Sequence, residues 1–205
     1  MKTRITALLA CMALSAPLAA QQFDTISFGV DGGYPPFDVL APSGEITGFD
    51  IDIANALCTQ LKAKCVFVKQ PFESMIAALN AHKFDAIIAS LNITDERKKE
   101  VDFTDRYYRS AAQLVARKGS PLLPEAASLK GKTVGVQTGS THEAYARTHW
   151  AGQGVKIVGY ANQDNVYLDL LSGRIDASLQ DNIQAATSFV DTPRGQKFAF
   201  AGPVI

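Results

Sequence analysis

The octapeptide Ser90-Leu91-Asn92-Ile93-Thr94-Asp95-Glu96-Arg97 sets hydroxyl, amide and guanidinium groups just beyond a short apolar run, Ala86-Ile87-Ile88-Ala89. The run reads as a buried strand, and the polar segment Asp95–Glu100 reads as the start of a helix. A strand that ends in small polar residues and turns into a helix leaves free backbone N–H groups beside donor side chains. Arg97 follows Thr94, a residue type suited to an N-cap, by three positions. Together they make a receptor for a carboxylate, with the Arg97 fork forming a bidentate pair. The plainer reading is that Thr94 only caps a helix and Arg97 is a solvated surface residue.

A second set of such groups lies further along. Thr138-Gly139-Ser140-Thr141 follows an apolar strand, and Ser140 with Glu143 three residues on has the form of a capping box. Asp181 follows another apolar run. Asp31 opens the breaker-rich loop Asp31-Gly32-Gly33-Tyr34-Pro35-Pro36-Phe37 after the first strand. Asp31, Tyr34, Phe72, Ser90, Asn92 and Arg97 face Gly139–His142 and Asp181 as two half-sites. That set suits an amino acid. Arg97 and the amides at Ser140–Thr141 suit an α-carboxylate, and Asp181 suits an α-ammonium. Tyr34 and Phe72 suit a side chain held between aromatic faces, and Asp31 suits a distal cation. Each also has a structural reading: Asp31 as a turn former, the aromatics as core, and His142 as a solvated first-turn residue.

The elements that must position these groups follow a βαβ rhythm. Ile26–Val30 reads as a strand, and a helix follows with Asp50 as N-cap. Ile53, Ala54, Leu57, Cys58 and Leu61 fall on one helical face. Val66–Val68 is a strand, Met75, Ile76 and Leu79 lie on a helix, and Phe84–Ala89 is a strand. Extended stretches follow around Val101–Phe103 and Ala111–Arg117. A second series then runs Thr133–Val136 (strand), Thr141–Trp150 (helix), Lys156–Val158 (strand), Gln163–Ser172 (helix) and Ile175–Leu179 (strand). Such an order implies parallel sheets with right-handed crossovers. Lys83-Phe84-Asp85-Ala86-Ile87-Ile88 is echoed by Arg174-Ile175-Asp176-Ala177-Ser178-Leu179, which makes Ser90 and Asp181 counterparts in two related halves.

Composition excludes several classes. Among 205 residues, 20 basic residues balance 20 acidic ones, so neither nucleic acid nor an anionic membrane is favoured as a partner. Lys2 and Arg4, an apolar run Ile5–Leu14 and small residues through Ala20 have the layout of a signal peptide, with cleavage near Ala20–Gln21. Its loss removes two basic and no acidic residues and leaves a net charge of −2. Leu8-Leu9-Ala10-Cys11 is a poor lipoprotein box because so few apolar residues precede it. Cys58 and Cys65 then remain, and two cysteines in an exported chain suggest a disulfide. Seven residues on a continuous helix span about 10 Å, too far for that bond. The helix bearing Cys58 must therefore end near Leu61–Lys62. Gly131-Lys132-Thr133 lacks the first glycine of a P-loop and precedes a strand. His82, His142 and His149 have no metal-ligand spacing, and Ser140 lies in no nucleophile elbow. No cofactor is expected.

Tyr34-Pro35-Pro36-Phe37, Gly48-Phe49-Asp50-Ile51-Asp52-Ile53, the Cys58/Cys65 pair, Ile93-Thr94-Asp95-Glu96-Arg97, Val101-Asp102-Phe103-Thr104, Gly139-Ser140-Thr141, Tyr160-Ala161-Asn162-Gln163 and Leu179-Gln180-Asp181 give the chain its resemblance to a known family. It resembles the periplasmic solute-binding proteins of polar amino-acid ABC uptake, in particular those for lysine/arginine/ornithine and histidine. The resemblance implies an α/β, two-lobed periplasmic-binding-protein-like (type II) fold, each lobe a mainly parallel sheet flanked by helices. Residues 1–20 would be the signal peptide, 21–110 lobe 1 and 111–205 lobe 2. The ligand set would be Asp31, Tyr34, Phe72, Ser90, Leu91, Asn92 and Arg97 from one lobe, with Gln137, Ser140, Thr141, His142 and Asp181 from the other. Cys58 and Cys65 would form the family's disulfide.

The implied function is binding a cationic L-amino acid in the periplasm, as a monomer without catalysis, for delivery to an ABC membrane permease. A periplasmic enzyme on the same fold, of the cyclohexadienyl dehydratase kind, and a ligand-sensing domain are the alternatives. Ala89 and Asn92 stand where related pockets have serines, Gln137 where an apolar residue is usual, and His142 where a glutamine is usual. The family pattern also continues past Gly202-Pro203 to complete the first lobe, so the resemblance implies a C-terminally truncated member.

Overall fold

The computed structural model describes residues 24–205; the proposed signal peptide and Cys11 lie outside the described residues. The first half runs β1 (Thr25–Val30), β2 (Gly33–Tyr34), β3 (Asp38–Leu40), β4 (Ile46–Thr47), α1 (Phe49–Leu61), β5 (Lys64–Lys69), α2 (Met75–Asn80) and β6 (Ala86–Ile87). The second runs β7 (Ala112–Arg117), α3 (Ala126–Leu129), β8 (Thr133–Gln137), α4 (Thr141–His149), β9 (Lys156–Tyr160), α5 (Gln163–Ser172), β10 (Ala177–Asp181), α6 (Asn182–Ala185) and β11 (Phe198–Phe200).

Two α/β lobes result. In the first, β1 pairs in parallel with β5 on one side and β6 on the other. In the second, the parallel set β9-β8-β10 has the same order, and β7 and β11 extend it antiparallel. A small antiparallel meander, β2-β3-β4, carries the Gly-Gly loop. Each main sheet is covered on both faces. Ile51, Ala54 and Cys58 of α1 pack on Phe28 and Val30, while Met75 and Ala78 of α2 pack with Phe84. In the second lobe Trp150 and Leu129 cover one face, and Tyr167, Leu170 and Phe189 cover the other. Gly29 lets the sheet accept Phe84, since a Cβ there would stand 2.4 Å from the ring.

The internal echo has a structural counterpart. Asp85 N–H donates to the Ser27 carbonyl at 2.9 Å, and Asp85 Oδ2 accepts Ser27 N–H at 2.8 Å. Asp176 repeats both bonds with Thr133, at 2.9 and 2.8 Å. In both lobes the aspartate entering the third strand therefore staples the start of the first.

Several local expectations are corrected. Gly48, at φ 128°, is the N-cap of α1, and Asp50 lies inside the first turn, buried. The buried stripe of α1 runs through Ile51, Ala54 and Cys58, whereas Leu57 and Leu61 are 48% and 55% exposed. The helix expected after Thr94 is only a 3-10 turn, Arg97–Lys99. Thr94 Oγ1 does accept Arg97 N–H at 3.2 Å, but Asp95–Glu100 has no apolar face to bury, and packing is what sustains short helices. The third strand of the first lobe regularises only at Ala86–Ile87. The end of α1 agrees with the cysteine constraint. Lys62 turns left-handed at φ 55°, and Cys58 and Cys65 are bonded with Cα atoms 5.8 Å apart.

Candidate functional site

The ends of β1, β6, β8 and β10 converge between the lobes, as strand ends do where open α/β sheets bind ligands. A cavity of about 20 Å3 remains there, roughly the room for one water. Its walls are Tyr34, Phe72, Ala89, Ser90, Asn92 and Arg97 on one side, with Gln137, Ser140, Thr141, His142, Gln163 and Asp181 on the other. Ten of the twelve residues singled out in the sequence therefore meet. Asp31 stands behind Gln137, bonded to it. Leu91 instead lines a larger groove of about 460 Å3 along the edge of the first sheet, between residues 85–93 and 101–110.

Arg97 bridges the lobes. Its Nη1 donates to the Asn92 carbonyl at 2.7 Å and its Nη2 to the Gly139 carbonyl at 2.9 Å, with Phe72 beneath the guanidinium at 5.8 Å. Burial lowers its pKa from the ordinary arginine value, an uncompensated desolvation cost that an anionic partner would relieve. Asn92 Nδ2 donates to Thr141 Oγ1 at 2.9 Å, and Ser188 Oγ donates to the Pro35 carbonyl at 2.6 Å, also across the cleft. Gly139, at φ 77°, admits this approach, because a Cβ there would meet Glu73 Cα at 2.9 Å.

Ser140 caps α4. Its Oγ accepts Glu143 N–H at 3.1 Å and donates to the Gln137 carbonyl at 2.6 Å. Glu143 reaches back one residue further than the capping box predicts, accepting Gly139 N–H at 2.7 Å. The Ser140 amide, expected at the carboxylate, instead donates to the Gln137 carbonyl at 3.3 Å; the first-turn amides of Thr141 and His142 have no intrahelical acceptor, and both residues line the cavity. Burial, and then Arg97, push the His142 imidazole down to about 4, so it is neutral at physiological pH. Asp181 ends β10 and caps α6, with Oδ1 accepting Ile183 N–H at 2.8 Å and Gln184 N–H at 2.9 Å. Burial raises its pKa, and the Ser110 side chain, with the two amides, opposes the rise.

Ser90 differs from a simple ligand donor. It is left-handed at φ 52°, and its N–H and hydroxyl both donate to Asp50 Oδ2, at 2.6 and 2.9 Å. Asp50, which also accepts from Tyr107 Oη at 2.9 Å, holds the Ser90 turn from behind. Asp38 does the same for the Gly-Gly loop. Its Oδ1 accepts Gly32 N–H and Tyr34 N–H, each at 3.1 Å, and its Oδ2 accepts Asp31 N–H at 3.4 Å. Neither supporting aspartate was identifiable as such in the sequence. Gln163 was overlooked too, although the segment Tyr160–Gln163 was singled out. It packs against the cavity and donates to Ser178 Oγ and Gln180 Oε1, both at 3.3 Å.

The arrangement can hold a zwitterion between a guanidinium with helix amides and a carboxylate. Among the described residues no three His, Cys, Asp or Glu side chains are grouped to hold a metal ion, and no helix is long and apolar enough to cross a membrane. Residues 26–188 match the model of the bacterial extracellular solute-binding proteins, family 3. The chain belongs to that family.

Among similar proteins, the lysine/arginine/ornithine-binding periplasmic protein of Escherichia coli K12 is 46% identical over 204 residues, covering 98% of this chain and 78% of that protein. The histidine-binding periplasmic protein of the same strain is 42% identical over 207 residues, covering 100% of this chain and 80% of that protein. Among solved structures, an ancestral arginine-binding protein bound to arginine superposes with a TM-score of 0.83 at 36% identity, covering 88% of this chain and 80% of the other. The family fold agrees with the two lobes seen here.

Proposed function

We propose that the chain binds a polar, cationic L-amino acid between its lobes, 21–110 and 111–205, and delivers it to an ABC membrane permease. One observation carries this reading: Arg97, the first turn of α4 and Asp181 line one cavity between the lobes. The α-carboxylate then takes Arg97 and the amides of Thr141 and His142, and the α-ammonium takes Asp181. Tyr34 and Phe72 flank the side chain, and Asp31 lies at its far end. Ser90 and Asn92 shape the carboxylate end, with Ser90 held by Asp50. Two relatives named for lysine/arginine/ornithine and for histidine support the ligand class, and their names support a periplasmic location.

The protein acts as a monomer and without catalysis, since every charged group in the cavity has a binding role. The 20 Å3 left between the lobes cannot hold an amino acid, so the lobes part about the crossing near Arg109–Ala112 to admit one. A thermal-shift screen of lysine, arginine, ornithine, histidine and glutamine tests the reading. A ligand at about 100 times its Kd adds about 2.7 kcal/mol of stability. A melt that no amino acid moves rejects the proposal.

A further inference from the structure

Gln137 ends β8, and its side chain crosses the cleft to Asp31 at the end of β1. Nε2 donates to Oδ2 at 3.2 Å, and the two side chains are only 5% and 7% exposed. This is the one hydrogen bond between buried side chains of opposite lobes among the described residues. Burial raises the Asp31 pKa, and the Gln137 bond is the largest opposing influence, ahead of Lys69 and the Phe72 N–H. The amide's Oε1 and second N–H make no hydrogen bond among the described residues, and Gln137 lines the cavity.

A buried carboxylate selects for cations chiefly by punishing ligands that leave it unpaired. The penalty is on the order of 100- to 1,000-fold in affinity. An apolar residue opposite Asp31 would leave only the Phe72 N–H and the charge of Lys69 to offset it. Gln137 removes it, because a neutral ligand finds the carboxylate already paired with a donor from the protein. A cationic ligand must first displace that donor, which narrows its advantage further. The free amide atoms also offer a neutral polar end group one acceptor and one donor.

We infer that Gln137 sets specificity, opening the site to neutral polar amino acids as well as cationic ones by pairing with Asp31 across the cleft. The inference rests on the functional reading above, which places Asp31 at the side-chain end of the ligand.

Calorimetric titration with arginine and citrulline tests it, since the two differ only in a guanidinium against a neutral ureido group. The wild-type protein is expected to bind both within about tenfold, and Gln137→Leu to widen the ratio at least about tenfold. Gln137→Met replaces the leucine variant if the latter does not melt cooperatively. A wild-type protein that prefers arginine by about 1,000-fold overturns the inference, and so does a ratio that neither variant moves. If arginine binds while the ratio fails, only this inference falls. If neither ligand binds the wild type, the functional reading falls with it.

Discussion

In the proposed function Arg97 gives the site its most general contact. Its two bonds run to the carbonyls of Asn92 and Gly139, neutral acceptors that a ligand carboxylate outcompetes because the bond becomes charge-assisted and bidentate. Arg97→Ala should therefore weaken every amino acid by roughly 100-fold, about 2.7 kcal/mol. Arg97→Lys should not restore binding, because an ammonium lacks the planar fork. Calorimetry on a cationic and a neutral ligand checks both, and a loss confined to one ligand would place Arg97 at the side chain instead. The placement of Arg97 and Asp181 at the cavity was legible in the sequence because each follows the end of a strand. Asp38 and Asp50 were not. Each is buried behind the loop it holds, and their partners lie 4 to 7 and 40 to 57 residues away, respectively. No local pattern distinguishes such an aspartate from a turn former or a helix cap.

The elements were read most accurately where their own residues decide them. The helix at Gln163–Ser172 has Asn162 as cap and Gly173 left-handed beyond its end, and its bounds match the expectation. The short third strand and the lost helix after Thr94 were misread because only tertiary pairing fixes their extent. Helix α4 joins stability to binding, since the residue that caps it also shapes the cavity wall. Ser140→Ala removes the acceptor for Glu143 N–H and the donor to the Gln137 carbonyl. The variant should lose about 1 kcal/mol of stability, the usual cost of an N-cap. Ser140→Thr should recover most of it. Urea melts read both, and an unchanged midpoint in Ser140→Ala would show that Glu143, through Gly139 N–H, holds the turn alone.

The closed molecule concentrates buried acid. Asp31, Asp38, Asp50 and Asp181 all have pKa values raised by burial, and Asp38, next to Asp31 and Asp50, reaches about 7. A carboxyl raised in the folded state stabilises it fully below the unfolded pKa, near 3.8. It loses that contribution as pH climbs through the folded value. His142 works in the opposite sense, but only between its folded value near 4 and the unfolded 6.5. The difference between the protein and Asp38→Asn over pH 6.5 to 8, in which His142 and the other acids cancel, therefore isolates Asp38. Over that interval the protein should lose about 1 kcal/mol, or roughly 2–4 °C in Tm, relative to Asp38→Asn. Asp38→Asn keeps an acceptor for Gly32 and Tyr34 N–H without the charge, so its Tm should not fall across the same interval, and His142 should raise it slightly. A wild-type Tm that rises toward pH 8, or an equal slope in Asp38→Asn, would mean that Asp38 is ionised throughout. The three amides it accepts would then hold it as a carboxylate despite its burial.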